Sequence, residues 1–127
     1  MSDLCPCDSG NEFGLCCEPL LNRTAQARTA EQLMRSRYSA FATGNLDYLR
    51  YSWHPATCPP DLELDPMQRW IGLKVIDVAA GGEDDTEGEV HFVARCKIAG
   101  KGHRLEERSH FQKVAGRWVY VGVVVGA

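Results

Sequence analysis

Glu89-Val90-His91-Phe92-Val93-Ala94-Arg95-Cys96-Lys97-Ile98 decides the fold class, because its side chains sort with a period of two. Val90, Phe92, Ala94, Cys96 and Ile98 fall on one face and Glu89, His91, Arg95 and Lys97 on the other, the pattern of a strand with one core side and one wet side. Residues 104–114 repeat it. Leu105, Glu107, Ser109 and Phe111 share the inner face, while Arg104, Glu106, Arg108, His110 and Gln112 form a wholly polar outer one. Residues 117–125 are apolar on both faces from Val119 onward, which predicts a strand that is central or covered on its second side. Upstream, a strand starting near Trp70 alternates Ile71, Leu73 and Val75 with Gly72, Lys74 and Ile76. It ends in Gly81-Gly82-Glu83-Asp84-Asp85, read as a solvated hairpin tip that lacks the ligand spacing of a calcium loop.

The residues before this run of strands read as helical. Thr29-Ala30-Glu31-Gln32 has the form of a capping box, and Ala30, Leu33, Met34, Tyr38 and Phe41 then make one apolar stripe, with Arg35, Ser39 and Thr43 pointing elsewhere. Gly44 suits a left-handed helix end. Asn45 is placed to cap a second, shorter helix carrying Leu46, Tyr48, Leu49 and Trp53, and Pro55 stops it after His54. Residues 18–28 are mixed, with Leu20 and Leu21 as contacts to the body. Residues 57–66, punctuated by Pro59, Pro60 and Pro66, read as loop, and Cys58 within them as an ordinary small residue. Helices followed by strands with short turns define an α+β fold, the helices packed on one face of a curved antiparallel sheet.

The polar pair Glu107 and Ser109 conflicts with an apolar inner face. A carboxylate there must find a donor, take up a proton or face a wet cavity, and Tyr38, His54 and Trp70 are its candidate partners. His91, His103 and His110 read as surface residues. With 127 residues and a formal net charge of −3, the chain has the size of one ordinary domain and no basic concentration of the kind that binds nucleic acid. No apolar run approaches the ~20 residues that cross a bilayer.

At the N-terminal end lies Cys5-Pro6-Cys7-Asp8-Ser9-Gly10-Asn11-Glu12-Phe13-Gly14-Leu15-Cys16-Cys17. Four thiols at this spacing can converge on one tetrahedral ion, and Asp8-Ser9-Gly10 supplies the turn that brings Cys16 and Cys17 back. Two disulfides would use the same residues, and four cysteines could also hold an iron-sulfur cluster. The opening Met1-Ser2-Asp3-Leu4 has neither the basic nor the apolar region of an export signal, so the expectation is a cytoplasmic, reducing setting in which such patterns bind metal. Zinc, held by Cys5, Cys7, Cys16 and Cys17, is the expected cofactor. With four protein ligands the site would be structural, and no catalytic residue is assigned. The knuckle is expected to be self-contained, so that a chain starting near Thr24 still unfolds cooperatively.

Cys-Pro-Cys-Asp-Ser-Gly through Cys16-Cys17 resembles the SEC-C motif, except that Asp8 stands where the motif usually has Gly and that lysines usual between the cysteine pairs give way to residues 11–15. Together with Leu33-Met34-Arg35-Ser36-Arg37-Tyr38-Ser39-Ala40-Phe41, Trp53-His54-Pro55 and the closing strands, it resembles the YchJ family of bacterial proteins. That resemblance implies a SEC-C zinc motif over residues 1–22 and a nuclear transport factor 2-like, cystatin-like cone over residues 23–127, with no established activity. It also implies a pocket between helices and sheet, which gives Tyr38, His54, Trp70, Glu107 and Ser109 a common location. Two function classes follow. The leading one is a protein-interaction module that uses the knuckle. The other is a small-molecule-binding protein or an isomerase or hydratase, with Glu107 and His54 or Tyr38 as acid and base.

Overall fold

The computed structural model describes residues 3–124. Three helices, α1 (Glu18–Leu21), α2 (Ala30–Thr43) and α3 (Leu46–Tyr51), precede four strands, β1 (Gln68–Ala80), β2 (Glu87–Ile98), β3 (Lys101–Val114) and β4 (Arg117–Val123). The strands form one antiparallel sheet in the order β1-β2-β3-β4. This is the expected α+β fold, with α2 laid across the inner face of the sheet.

Helix α2 begins and ends as its sequence requires. Thr29 Oγ1 accepts from Gln32 N at 3.1 Å, but Gln32 reaches back one residue further than in a capping box, its Oε1 accepting from Arg28 N at 2.7 Å. Gly44 closes the helix at φ 76°, and Asn45 Oδ1 accepts from Tyr48 N at 3.0 Å to start α3. Helix α3 ends at Tyr51, so Trp53 lies beyond it. Leu20 packs with Ala40, Tyr48 and Leu49 in a small second core, and Leu21, Leu62 and Leu64 close its edge.

Alternation holds along β2 apart from Val93, which is buried as well, and along β3 from Glu107 to Phe111; it fails along β1 and at Leu105, which is exposed. Val90, Phe92, Ala94, Cys96, Ser109 and Phe111 are buried, while the outer face carries pairs such as His91 with Glu106 and Arg108 with Asp77. In β1 the register slips between Trp70 and Gly72 and again between Val75 and Asp77. Each bulge leaves a residue without a partner, and Ile71 turns outward to 52% exposure instead of sharing a face with Leu73 and Val75. Strand β4 is at the sheet's edge, not its centre. Its outer rim pairs with the chain after α3, His54 N donating to Tyr120 O and Tyr120 N to Ser52 O, both at 2.8 Å. Trp118 and the next residue, Val119, are both buried, so the strand is covered on its second side there; Val125 lies outside the described residues.

Three further placements differ from the sequence reading. Glu83, Asp84 and Asp85 are exposed at the β1–β2 turn, but Gly81 is buried against the start of α2, where Ala30 N donates to Gly81 O at 2.9 Å. Ser39, expected to point away from the core, is fully buried, and Arg35 reaches the knuckle. The knuckle itself is not self-contained: Cys5, Cys7 and Cys17 belong to the same core as Leu33, Met34, Phe92 and Trp118.

Gly81 and Gly88 let the base of the first hairpin approach α2. A Cβ at Gly88 would stand 2.5 Å from Gly81 Cα, whereas one at Gly102 would meet nothing within 4 Å. Gly88→Ala is expected to destabilise the fold by about 1–3 kcal/mol, and Gly102→Ala by less than about 0.5 kcal/mol, measured by urea denaturation. Equal effects would show that the close approach is not what holds the hairpin.

Candidate metal centre and concave-face cavity

The knuckle is built from two backbone reversals. Asp8 N donates to Cys5 O at 3.2 Å and Cys5 N to Asn11 O at 2.8 Å, and Gly10 adopts φ 86°. A short 3-10 turn, Phe13–Leu15, then returns the chain so that Cys16 and Cys17 face Cys5 and Cys7. All four Sγ atoms lie within 4.8 Å of one another, with Cys7 and Cys16 at 3.7 Å and Cys16 and Cys17 at 3.9 Å. Such a cluster can hold a metal ion. The Cys7 thiol is pulled well below its usual range, first by a hydrogen bond from Cys17, and Cys17 is pushed up by the same bond and by burial.

Three contacts dock the knuckle on the body. Arg35 Nη1 donates to Cys7 O at 2.8 Å, Cys5 Sγ lies 3.5 Å from Ser39 Oγ, and Asp8 Oδ2 accepts from Leu73 N at 2.9 Å beside the first β1 bulge. Asp8 has φ 61°, the left-handed conformation that explains why glycine is usual at this position. Here the strain accompanies a hydrogen bond that glycine could not make.

On another face of α2 a cavity of about 320 Å³ opens between helix and sheet. Met34, Arg37, Tyr38 and Phe41 of α2 form one wall, and Trp70, Phe92, Ala94, Phe111 and Tyr120 line the sheet side. Tyr38 and Trp70 meet edge to face at 5.7 Å, as do Trp53 and Tyr120 at 5.0 Å. Gln68 and Leu105, the latter 44% exposed, border it as well.

Of the residues singled out in the sequence, Tyr38, Trp70, Glu107 and Ser109 line this cavity. His54 does not. Its backbone is committed to the β4 rim, and its Nδ1 accepts from Ala56 N at 3.0 Å. Nor does Glu107 bond to Tyr38, His54 or Trp70: Oε2 accepts from Ser109 Oγ at 2.5 Å and from Tyr120 Oη at 3.4 Å. Strand pairing sets these partners, since Ser109 is two residues along the same face and Tyr120 lies opposite Phe111.

Arg37 is the residue the sequence reading passed over. Only 6% exposed, it donates through Nη1 to Leu49 O and Ser52 Oγ, and its guanidinium lies beside both the Trp53 and the Tyr120 ring, at 4.7 and 4.5 Å from their centroids. Burial pulls it down to about 10, still charged at neutral pH. Its signal was its spacing: Arg37 sits within the stripe of Leu33, Met34, Tyr38 and Phe41. The Trp53 indole N–H is buried without a partner among the described residues.

A cysteine knuckle docked on a helix that crosses a four-stranded cone defines a SEC-C motif joined to an NTF2-like domain, and the comparisons agree. Residues 1–19 match the SEC-C motif, and residues 29–123 match the family described as YchJ, middle NTF2-like domain. The chain belongs to the YchJ family. A UPF0225 protein from Chromobacterium violaceum is 50% identical over 125 residues, covering 95% of this chain and 92% of that protein. A second, from Streptomyces coelicolor, is 47% identical over 116 residues, covering 91% and 90%. The solution structure of a SEC-C motif containing protein from Rhodopseudomonas palustris aligns at TM-score 0.81 and 32% identity, with both chains covered in full. A crystal structure of a SEC-C motif containing protein from Psychrobacter arcticus aligns at 0.74 and 26%, covering 97% of this chain and 84% of that one.

Tyr120 gives the cavity a measurable pH signature. Burial, then the nearby Glu107 charge, pushes its phenol from 10.0 up to about 12. A raised native pKa favours the neutral phenol, so this contribution is complete below pH ~10 and is lost as pH rises towards ~12. Stability should therefore fall across that window, less steeply in Tyr120→Phe, as followed by urea midpoints at successive pH values. An identical slope in the variant would place Tyr120 in contact with solvent in the native state.

Proposed function

We propose that this is a small-molecule-binding protein whose zinc is structural and whose ligand sits in the cavity under α2. The observation that carries the reading is the cavity itself, aromatic on most sides yet containing a buried arginine and a carboxylate. Binding pockets characteristically combine an apolar lining with a few placed polar groups. An acid–base enzyme has less support, because His54 lies outside the cavity and Glu107 is engaged by two hydroxyls.

The donor set favours zinc. Four Zn–S bonds of about 2.3 Å give a tetrahedron with edges of about 3.8 Å, and the Sγ separations of 3.7 and 3.9 Å fit it. Four thiolates would hold the ion in a closed site, where it staples the knuckle to α2 and leaves no position for substrate. The setting that suits these thiols is a reducing one such as the cytoplasm, and no described helix is long and apolar enough to cross a membrane.

A second reading, an interaction role for the knuckle, is supported by Leu15 at 79% and Leu4 at 68% exposure on its outer surface. Large apolar side chains on so small an element suit a protein partner. The two roles use different faces of α2 and do not compete.

Metal analysis of freshly reduced protein should find about one zinc per chain, and less than half an equivalent would sink the zinc assignment. Cys16→Ser should lose it, while Cys58→Ser should keep it. Structural zinc contributes an apparent ~10–16 kcal/mol in small fingers, comparable with the whole ~5–15 kcal/mol stability of a domain. Because three of the cysteines belong to the main core, Cys16→Ser is expected to lose dispersed NMR signals from α2 and the sheet as well as from the knuckle. Loss confined to residues 3–20 would mean that the knuckle is an appendage.

A further inference from the structure

The cavity contains one cation and one anion that are not paired with each other. Arg37 has only Nη1 engaged, by Leu49 O at 2.9 Å and Ser52 Oγ at 2.7 Å, so its other N–H donors have no acceptor among the described residues. Glu107 receives both of its hydrogen bonds on Oε2, which leaves Oε1 with no donor among the described residues. Both side chains line the same chamber, and among the described residues no salt bridge joins them. A molecule that completes them must offer an N–H or O–H to the carboxylate and an oxygen acceptor to the guanidinium.

Charge narrows the class further. The two side chains already offset each other, so a carboxylate ligand would crowd Glu107 and an ammonium ligand would crowd Arg37. Like-charge approach is costly in an apolar enclosure. Shape narrows it again, because the rings of Tyr38, Trp70 and Phe111 offer flat faces and edges that suit a planar partner. Resting on the ligand-binding reading above, we infer that the cavity takes an uncharged planar ring compound with a hydrogen-bond donor and a carbonyl oxygen on one edge, as in a cyclic amide. The donor faces Glu107 and the carbonyl faces Arg37. Ser109 and Tyr120 act as positioning residues, holding the carboxylate in place through its other oxygen.

The test uses the zinc-loaded full chain and three probes of similar size: 2-quinolone, its N-methyl derivative and quinoline-2-carboxylate. Binding is followed by tryptophan fluorescence and located by NMR shifts of residues around the cavity. 2-Quinolone should bind best, and N-methylation, which removes the donor, should weaken binding at least about 10-fold, the size of one charge-assisted hydrogen bond. In Glu107→Gln that gap should shrink to less than about 3-fold, because the acceptor is no longer charged. The wild-type comparison decides the matter even if this variant does not fold. Equal binding of the N-methyl compound, or tighter binding of the carboxylate, overturns the donor-and-carbonyl assignment and leaves a ligand cavity of another specificity. No cavity-centred shift from any probe at ~1 mM, the limit of weak binding, overturns both the assignment and the ligand-binding reading.

Discussion

Helix α2 is enclosed on nearly every side, and the remainder of the molecule is arranged to make that possible. From Leu33 to Ala40 every residue except Arg35 is buried, although the segment includes Ser36, Arg37 and Ser39. A helix buried all round is normally apolar all round. This one is not, so each polar group needs its own partner. Ser36 Oγ lies 2.7 Å from both Leu33 O and Tyr48 Oη, Ser39 Oγ meets Cys5 Sγ, and Arg37 is anchored to Leu49 O and Ser52. The knuckle and α3 with the residue that follows it supply these partners, and the sheet forms the third wall.

This enclosure links the two candidate sites. Arg35 and Ser39 look toward the cysteines, and Met34, Arg37, Tyr38 and Phe41 look toward the cavity, all within two turns of one rigid element. The seat of the knuckle and one wall of the cavity are therefore parts of the same helix. Tyr38 illustrates the proximity: burial, then the Asp8 charge, pushes its phenol up to about 12, and Asp8 belongs to the knuckle.

Much of this was legible in the sequence, and the failures have distinct physical causes. The cap at Thr29, the stop at Gly44 and the inward placement of Glu107 and Ser109 are set by local chemistry or by strict period-two alternation, which a sequence displays openly. The bulges in β1 are not, because Ile71 looks like a core residue until an inserted residue turns it outward. Ser39 and Arg37 were misplaced or passed over for the opposite reason: polarity suggested solvent where tertiary contacts supplied partners. His54 shows the limit of reasoning from residue type, since an imidazole able to serve in a site is held outside it by backbone bonds to β4.

Those backbone bonds have a further effect. Trp118-Val119-Tyr120-Val121-Gly122-Val123 is uncharged, free of proline and rich in residues that favour strands, the composition that stacks readily with copies of itself when its rim is bare. The chain around Ser52 and His54 occupies that rim at Tyr120, and Pro55 directly after it has no N–H with which to continue a ladder. The segment thus acts as a selvedge, finishing the woven edge of the sheet at Tyr120.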